Sequence, residues 1–304
     1  HAMAAPTPVS AYLHSATMVK AGVFLIARLW PVLSGTDLWF YLVATTGLVT
    51  MLIGAGVALF KNDLKALLAY STVSHLGLLT MLFGFGTRLA AVAGVFHIIN
   101  HATFKAALFM NAGIVDHEVG TRDARRLGGL AALMPITATL GTIAALSIGG
   151  VPPFNGFLSK EMMLEEAAHT GWAGIGWLVP VVATIAALLS AAYSFRFIAH
   201  VYFGPKRSDY PKPPHDPGIG LWGPPAILVV LVVLIGVLPG LMAQRFVEVV
   251  AAAVTGEGAP YFHLSLWHGL TPALFMSIIA VAGGLLVLWR FGAFDRVWNA
   301  LPIP

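Results

Sequence analysis

Long apolar runs separated by short polar stretches set the pattern of this 304-residue chain. A helix needs about 20 mainly apolar residues to cross about 30 Å of hydrocarbon. The stretches that qualify are Val9 to Leu33, Leu38 to Phe60, Leu64 to Phe85, Leu89 to Val115, Leu130 to His169 with a break, Leu178 to Phe203, Pro225 to Met242, and Thr271 to Trp289. Runs this long lack the dyad alternation of membrane β-barrel strands. The pattern therefore predicts an all-α fold, a polytopic integral membrane helix bundle of about eight transmembrane segments, one of them discontinuous. No internal repeat and no soluble domain is evident.

Composition sharpens this reading. The chain is 58% hydrophobic and 10% charged, with mean hydropathy +0.83, against roughly 45–50% and about 25% in soluble domains. A net charge of +4, small and dispersed, argues against nucleic acid as a partner and leaves the lipid bilayer. The absence of cysteine excludes disulfides, thiolate metal sites and iron–sulfur ligation within this stretch. The start, His1-Ala-Met-Ala-Ala-Pro, has no starting Met and no secretory signal pattern, so the sequence reads as part of a longer protein.

Basic residues alternate between the connections. Lys61 and Lys65, then Arg122, Arg125 and Arg126, then Lys206, Arg207 and Lys212, then Arg290 and Arg296 fall in one set, and only Arg88 and Arg245 in the other. Short cytoplasmic loops are enriched in Lys and Arg, so the richer set is expected in the cytoplasm. Lys206 to Trp222 carries Pro211, Pro213, Pro214 and Pro217 and reads as an extended polar loop. Gln244 to Leu266 reads as an amphipathic stretch at the membrane surface.

Ionisable groups inside the spans carry the chemistry, because each costs at least about 2.5–3.5 kcal/mol at mid-bilayer and such groups line polar interiors or ion paths. In the fourth span His97, His101 and Lys105 recur at every fourth residue, on one helix face with about 40° of drift per step. Histidine changes charge near neutral pH and a desolvated lysine can release its proton, so the column reads as a proton relay. The alternative is a pair of packed histidines with Lys105 snorkelling to an interface. A metal site at this spacing has no nearby carboxylate.

The fifth span is interrupted by Gly149-Gly150-Val151-Pro152-Pro153-Phe154-Asn155-Gly156 and followed by Ser159-Lys160-Glu161. Irregular backbone at that depth must be buried or face water, and a charge beside a broken helix is a recurrent transporter device. Lys160 is a second candidate, against an interfacial lysine between two short helices. His14 and Lys20 in the first span are six residues apart and lie on different faces; each is a candidate, against a satisfied core histidine for His14. Lys65 at a span start obeys the charge rule equally well. His75 and Glu161 are weaker candidates, Glu161 as a partner for Lys160 or another lysine. Asp116, His117 and Glu118 read as part of a solvated connection. Nothing resembles a Walker loop, a dinucleotide fingerprint or a nucleophile elbow.

The run Ala5 to Gly22, Asp63-Leu64-Lys65 with Ala69-Tyr70-Ser71-Thr72, Phe96 to Lys105, and Gly150 to Glu161 resemble the antiporter-like subunits shared by respiratory complex I and the Mrp multisubunit cation/proton antiporters. Met18-Val19-Lys20, Gly120-Thr121-Arg122-Asp123 with Leu127-Gly128-Gly129-Leu130, and Phe157 to Glu161 look most like the A-type subunit of the Mrp group. The resemblance implies that residues 1–242 are the C-terminal portion of a 14-helix antiporter-like core, with 243–304 adding the amphipathic segment and one more helix. His14, Lys20, Lys65, His97, His101, Lys105 and Lys160 then match that family's proton-translocation residues. The family's upstream glutamate and broken-helix lysine are absent, and the Gly84 to Arg88 connection is shorter than usual, so residues there, like those beyond Pro304, are expected in a longer chain.

The function so implied is a membrane subunit of a multisubunit Na+ or other monovalent cation/H+ antiporter, a secondary transporter rather than an enzyme. It would sit in a prokaryotic plasma membrane with other membrane subunits as partners and no cofactor. The alternative is a proton-pumping subunit of a complex I-type NADH:quinone oxidoreductase. No carboxylate-lined sodium site is visible in the sequence.

Overall fold

The computed structural model describes residues 7–258 and 260–300. The helices are α1 (Thr7–Ser15), α2 (Ala21–Leu33), α3 (Asp37–Phe60), α4 (Leu64–Gly84), α5 (Arg88–Val119), α6 (Pro135–Gly149), α7 (Asn155–Ala168), α8 (Leu178–Phe203), α9 (Ile219–Val237), α10 (Gln244–Thr255), α11 (Pro272–Trp289) and α12 (Phe291–Ala300). Among the described residues there is no β-strand, only two isolated bridges. Seven segments, counting Val9–Leu33 as one, are long and apolar enough to cross a membrane. At 15 and 14 residues, α6 and α7 reach only about 22 Å each, and with the break between them they correspond to the interrupted fifth span of the sequence pattern.

The bundle is built around α5. It packs against α1, α4, α6, α7, α9 and α10, and 83% of its most apolar window is buried although its mean hydropathy there is only 1.2. By contrast α9, with hydropathy 2.3, is 28% buried, and α11, with 2.1, is 22% buried. Lipid tails accept any apolar side chain, while polar groups must be enclosed by protein. The least apolar span therefore goes to the centre and the most apolar ones face lipid.

The pattern of spans holds, with four local differences. The first span is interrupted: α1 ends at Ser15, a 3₁₀ turn covers Met18–Lys20, and α2 starts at Ala21. Ser15 Oγ donates to Ala11 O (2.5 Å) and Thr17 Oγ1 to Tyr12 O (3.2 Å), so side-chain hydroxyls compete with the helical ladder. The fourth span runs on to Val119, where Gly120 adopts left-handed φ +78° and closes it. Asp116, His117 and Glu118 are thus its last turn rather than a connection, and Glu118 is buried. The seventh span begins at Ile219, with Pro224 and Pro225 inside the helix, a placement that membrane helices tolerate. It ends at Val237, and Pro239–Met242 forms a separate helical turn. The amphipathic stretch is helical only as far as Thr255, as α10, which lies along α5 and α2.

The two ends of the bundle differ in chemistry. At one end the four basic connections meet: Arg122 pairs with Asp63, Arg207 Nη2 donates to Arg125 O (3.2 Å), Lys212 Nζ to His117 O (3.0 Å), and Phe60 stacks on Phe291 with centroids 6.2 Å apart. Arg196, buried in α8, donates to Leu59 O and Lys61 O and stacks on Phe291. At the opposite end Thr87 bonds Glu166, Arg88 pairs with Glu257, and His268 approaches Glu161. There Gly86, at φ +73°, and Thr87, capping α5 through Ala90 N, close the short turn between α4 and α5.

Glycines at matched spacing bring α3 and α4 together. Gly47 and Gly54 on one helix face Ser74, Gly77 and Met81 on the other, and a Cβ on Gly77 would stand 2.7 Å from Gly47 O. Small residues allow this close approach, which substitutes for a hydrophobic driving force in lipid. We expect Gly77→Val to destabilise the bundle by about 1–3 kcal/mol or more, seen as a lower tryptophan-fluorescence melting point in detergent. Gly56→Ala, whose Cβ meets nothing within 4 Å, should melt like the wild type.

Candidate ion-translocation site

The interior of α5 presents His97, His101 and Lys105, all at 0% exposure. The 3.6-residue period stacks them on one face, and α4 lies against that face. His75 of α4 completes the group: its Nδ1 is 2.9 Å from His97 Nε2 and its Nε2 is 3.2 Å from Tyr193 Oη on α8. His97 Nδ1 continues to Ser159 Oγ on α7 at 2.9 Å. Neither ring nitrogen of His101 has a well-formed hydrogen bond to protein, although its ring lies 5.4 Å from that of His75. Lys105 does not snorkel. Its Nζ donates to Leu68 O (3.3 Å) and to Ser71 Oγ, both on α4.

The break between α6 and α7 is latched by side chains. Ser147 Oγ donates to Asn155 Oδ1 (2.7 Å) and accepts from Gly156 N (3.0 Å), and Asn155 Nδ2 donates to Thr103 Oγ1 (3.0 Å) on α5. Asn100 Nδ2 donates to Asn155 O at 3.1 Å. Gly150 caps α6 with φ +78°, leaving its last carbonyls open, as helix ends do, with partial negative charge. Lys160 uses one of them: its Nζ donates to Ile148 O (2.5 Å) and to Ser190 Oγ of α8 (2.7 Å). Lys160 is therefore interior, at 5% exposure, not interfacial.

The first span supplies Lys20 and His14, on the two sides of its interruption. The Lys20 ammonium is buried with no hydrogen-bond partner in the protein, at the wall of a cavity of about 390 Å³ lined also by Val23, Phe24, Phe83 and Val254. His14 stacks on Phe109 of α5 (5.6 Å) within electrostatic reach of both Lys105 and Lys65. Lys65 is 3% exposed and sits toward the basic end, near Asp63, Asp116 and Arg122. Glu161 does not pair with Lys160. The two side chains leave α7 in different directions, and Glu161 Oε2 lies 3.6 Å from His268 Nδ1 instead, at a cavity of about 240 Å³ lined by Ala93, Glu165, Glu166 and His263.

Hydroxyls that the sequence pattern does not single out join these groups. Ser71, Ser159, Ser190 and Tyr193 are all buried and each touches a candidate lysine or histidine. Serine in an apolar span is too common to stand out, but the three-residue spacing of Ser190 and Tyr193, which puts both on one face of α8, is a usable signal. Among the described residues the buried carboxylates are Glu118 and Glu161 alone, one toward each end, so the central stretch holds lysines, histidines, hydroxyls and carbonyls. Such a set can pass protons. Among the described residues no group of three or more His, Asp or Glu is arranged to hold a metal ion.

The structure is that of a polytopic membrane helix bundle with titratable groups aligned along its buried axis. Residues 1–190 match the family described as NADH:quinone oxidoreductase/Mrp antiporter, TM, and the chain belongs to that family. It is 54% identical over 286 residues to a protein of Rhizobium meliloti (strain 1021) named as the probable A/B subunit of a K(+)/H(+) antiporter, covering 94% of this chain and 29% of the relative. It is 40% identical over 321 aligned positions to the A1 subunit of a Na(+)/H(+) antiporter of Staphylococcus aureus (strain JH9), covering 99% and 40%. Among solved structures, the Mrp complex from Dietzia sp. DQ12-45-1b superposes with TM-score 0.90 at 39% identity, over 99% of this chain and 33% of the matched one. The membrane-bound sulfane sulfur reductase, an archaeal respiratory membrane complex, gives 0.70 at 29%, over 84% and 51%. The chain thus spans between 29% and 51% of the length of these relatives, and the resemblance to A-type Mrp antiporter subunits agrees with them.

The His268 contact generates a pH prediction. The Glu161 carboxylate, followed by the His263 carbonyl, raises the His268 imidazole above its ordinary value. A raised value stabilises the fold fully below about pH 6.5 and loses that contribution as pH climbs through the raised value. With His268 36% exposed, the effect is held to within about 1 kcal/mol. His268→Ala should lower the melting temperature by a few degrees at pH 6 and leave it unchanged at pH 9, read by tryptophan fluorescence.

Proposed function

We propose that this chain forms part of the proton-conducting core of a multisubunit monovalent cation/H+ antiporter, with Na+ the first candidate cation. One observation carries the reading: Lys105 and Lys160 lie at the centre of the bundle without a carboxylate, each held by a hydroxyl and a main-chain carbonyl. A purely structural cation is normally paired, because an unpaired buried ammonium is costly. Here the neighbours of the two ammonium groups are hydroxyls, which can both accept and donate a proton. The names of the relatives support the same reading.

In this reading Lys65 serves the basic end, His14 lies between it and Lys105, and His101, His97 and His75 line the central stretch. Lys160 then serves the far half, with Glu161 at its outer end, while Lys20 faces the side cavity. The chain acts as part of a secondary transporter without an organic cofactor, beside other membrane subunits of its complex in a prokaryotic plasma membrane. Residues 1–242 belong to the antiporter-like core, and 243–304 add α10 to α12. A proton-pumping role in a complex I-type oxidoreductase is the second reading, since the family description covers both and a respiratory complex is among the structural neighbours.

Lys105→Ala and Lys160→Ala, made in the full protein with its partner subunits, should each abolish cation-dependent proton flux in everted vesicles while assembly persists. Wild-type rates in assembled variants would end the relay reading. His97→Ala and His101→Ala should alter the pH dependence of that flux between about pH 6 and 9. Loss of NADH-driven pumping with unchanged sodium tolerance on deleting the gene would favour the oxidoreductase alternative.

The basic connections are placed on the cytoplasmic side by the charge rule. These 304 residues hold no cysteine, so Ser208→Cys and Gly258→Cys, made in a full protein freed of any other cysteine, report orientation. An impermeant maleimide applied to intact cells should label the second and not the first, and the reverse pattern would invert the topology.

A further inference from the structure

The relay reading leaves open how Lys105 and Lys160 communicate. They sit on different helices, and the histidines do not bridge them directly: His97 ends on Ser159, and His101 has no well-formed bond. A second set of contacts does. Lys105 Nζ donates to Ser71 Oγ on α4, whose own hydroxyl donates to Leu68 O (2.9 Å), and Ser71 lies beside the Tyr193 hydroxyl on α8. Ser190 Oγ donates to Tyr193 Oη (2.9 Å) and accepts from Lys160 Nζ (2.7 Å). Ser71, Ser190 and Tyr193 are 0%, 4% and 1% exposed, so bulk water does not compete at any link.

Tyr193 is the junction of this chain. A phenolic oxygen has one hydrogen to give and lone pairs to receive. With Ser190 donating to it, the Tyr193 hydrogen is available either to Ser71, on the Lys105 side, or to His75 Nε2 at 3.2 Å, on the histidine side. We propose that the Tyr193 hydroxyl is the proton link between Lys105 and Lys160, with Ser71 and Ser190 as the flanking carriers. This rests on the relay reading above and adds to it the connection between its two lysines.

The transfer balances in the direction that the donors point. Lys160 ammonium gives a proton to Ser190 Oγ as Ser190 passes its own to Tyr193 Oη. Tyr193 passes its hydrogen to Ser71 Oγ, and Ser71 turns its own from Leu68 O to a neutral Lys105 amine. Each hydroxyl ends neutral and reversed in direction, Lys160 ends neutral, and Lys105 ends as the ammonium. The reset requires only rotation of the hydroxyls.

The test is Tyr193→Phe, which keeps the ring in the same packing, measured as cation-dependent proton flux per assembled complex in everted vesicles. We expect a loss of tenfold or more. Tyr202→Phe is the control, because it removes an equally buried hydroxyl that bonds Asn111 outside the chain of carriers; it should transport near the wild-type rate. Ser190→Ala should match Tyr193→Phe, and the double variant should be no slower than either, since links in series fail together. Wild-type flux in Tyr193→Phe, or losses that multiply in the double variant, would overturn the proposal. Should Tyr193→Phe fail to assemble, Ser190→Ala decides alone, with wild-type flux again overturning it. Retained flux in Lys105→Ala and Lys160→Ala would instead remove the relay reading on which the link rests.

Discussion

The constraint from which this structure follows is that an ammonium group inside hydrocarbon must find acceptors, and the central part of the bundle has no carboxylate to offer. Lys105 and Lys160 are served instead by main-chain carbonyls and hydroxyls. A carbonyl is free to accept a second partner, or a first one, where helical order is relaxed or ended. That makes the break between α6 and α7 a requirement of Lys160 and not an accident of its prolines, since Ile148 O becomes available because the helix stops. The latch of Ser147, Asn155 and Thr103 then holds the two half-helices to α5, so the carbonyl and the ammonium keep their alignment.

The same constraint orders the whole bundle. Enclosing the polar face of α5 takes helices on every side, and the six that surround it are drawn from almost the full length of the chain. The strongly apolar helices α9 and α11 are left with faces toward lipid. Close approach of α3 and α4 through glycine lets Ser71 and His75 reach inward from one thin two-helix layer, while Ser74 Oγ donates to Met51 O (2.8 Å) between the two helices.

Much of this is legible in the sequence because membrane spans are read from length and hydropathy, which are local properties. The eight segments, the break after Gly149 and the buried column on α5 follow from residue spacing alone. The interruption at Ser15 to Thr17 does not, because hydroxyl groups bend a helix only when the surrounding packing favours it, and no proline or glycine marks the spot. The end of α5 is misplaced when charge is taken to end a helix, whereas Gly120 sets it. In the candidate site, the lysines and histidines stand out by cost. His75 looks weak until its partners on α5 and α8 are in view, and the partner of Glu161 proves to be a histidine 107 positions further on. The hydroxyls beside the lysines and histidines are harder to read, since a serine costs little wherever it lies, and only the spacing of Ser190 and Tyr193 on one face of α8 marks them.

The two ends of the bundle are fastened in different ways, and this gives the molecule unequal compliance. At the basic end Arg196 grips main-chain carbonyls of the α3–α4 turn, and Asp216 caps the first turn of α6 through Ile136 N (2.8 Å) and Thr137 N (2.9 Å). Those bonds are directional, and the one from Arg196 to Leu59 O is buried. At the other end the fastening includes Arg88 with Glu257, whose side chains are 52% and 68% exposed, a pair that dissolved salt screens readily. Ionic strength on that face therefore acts as a mechanical variable, softening the attachment of the segment after α10 to the start of α5, whereas at the basic end salt reaches the Arg122–Asp63 pair but leaves the contacts of Arg196 with main-chain carbonyls in place.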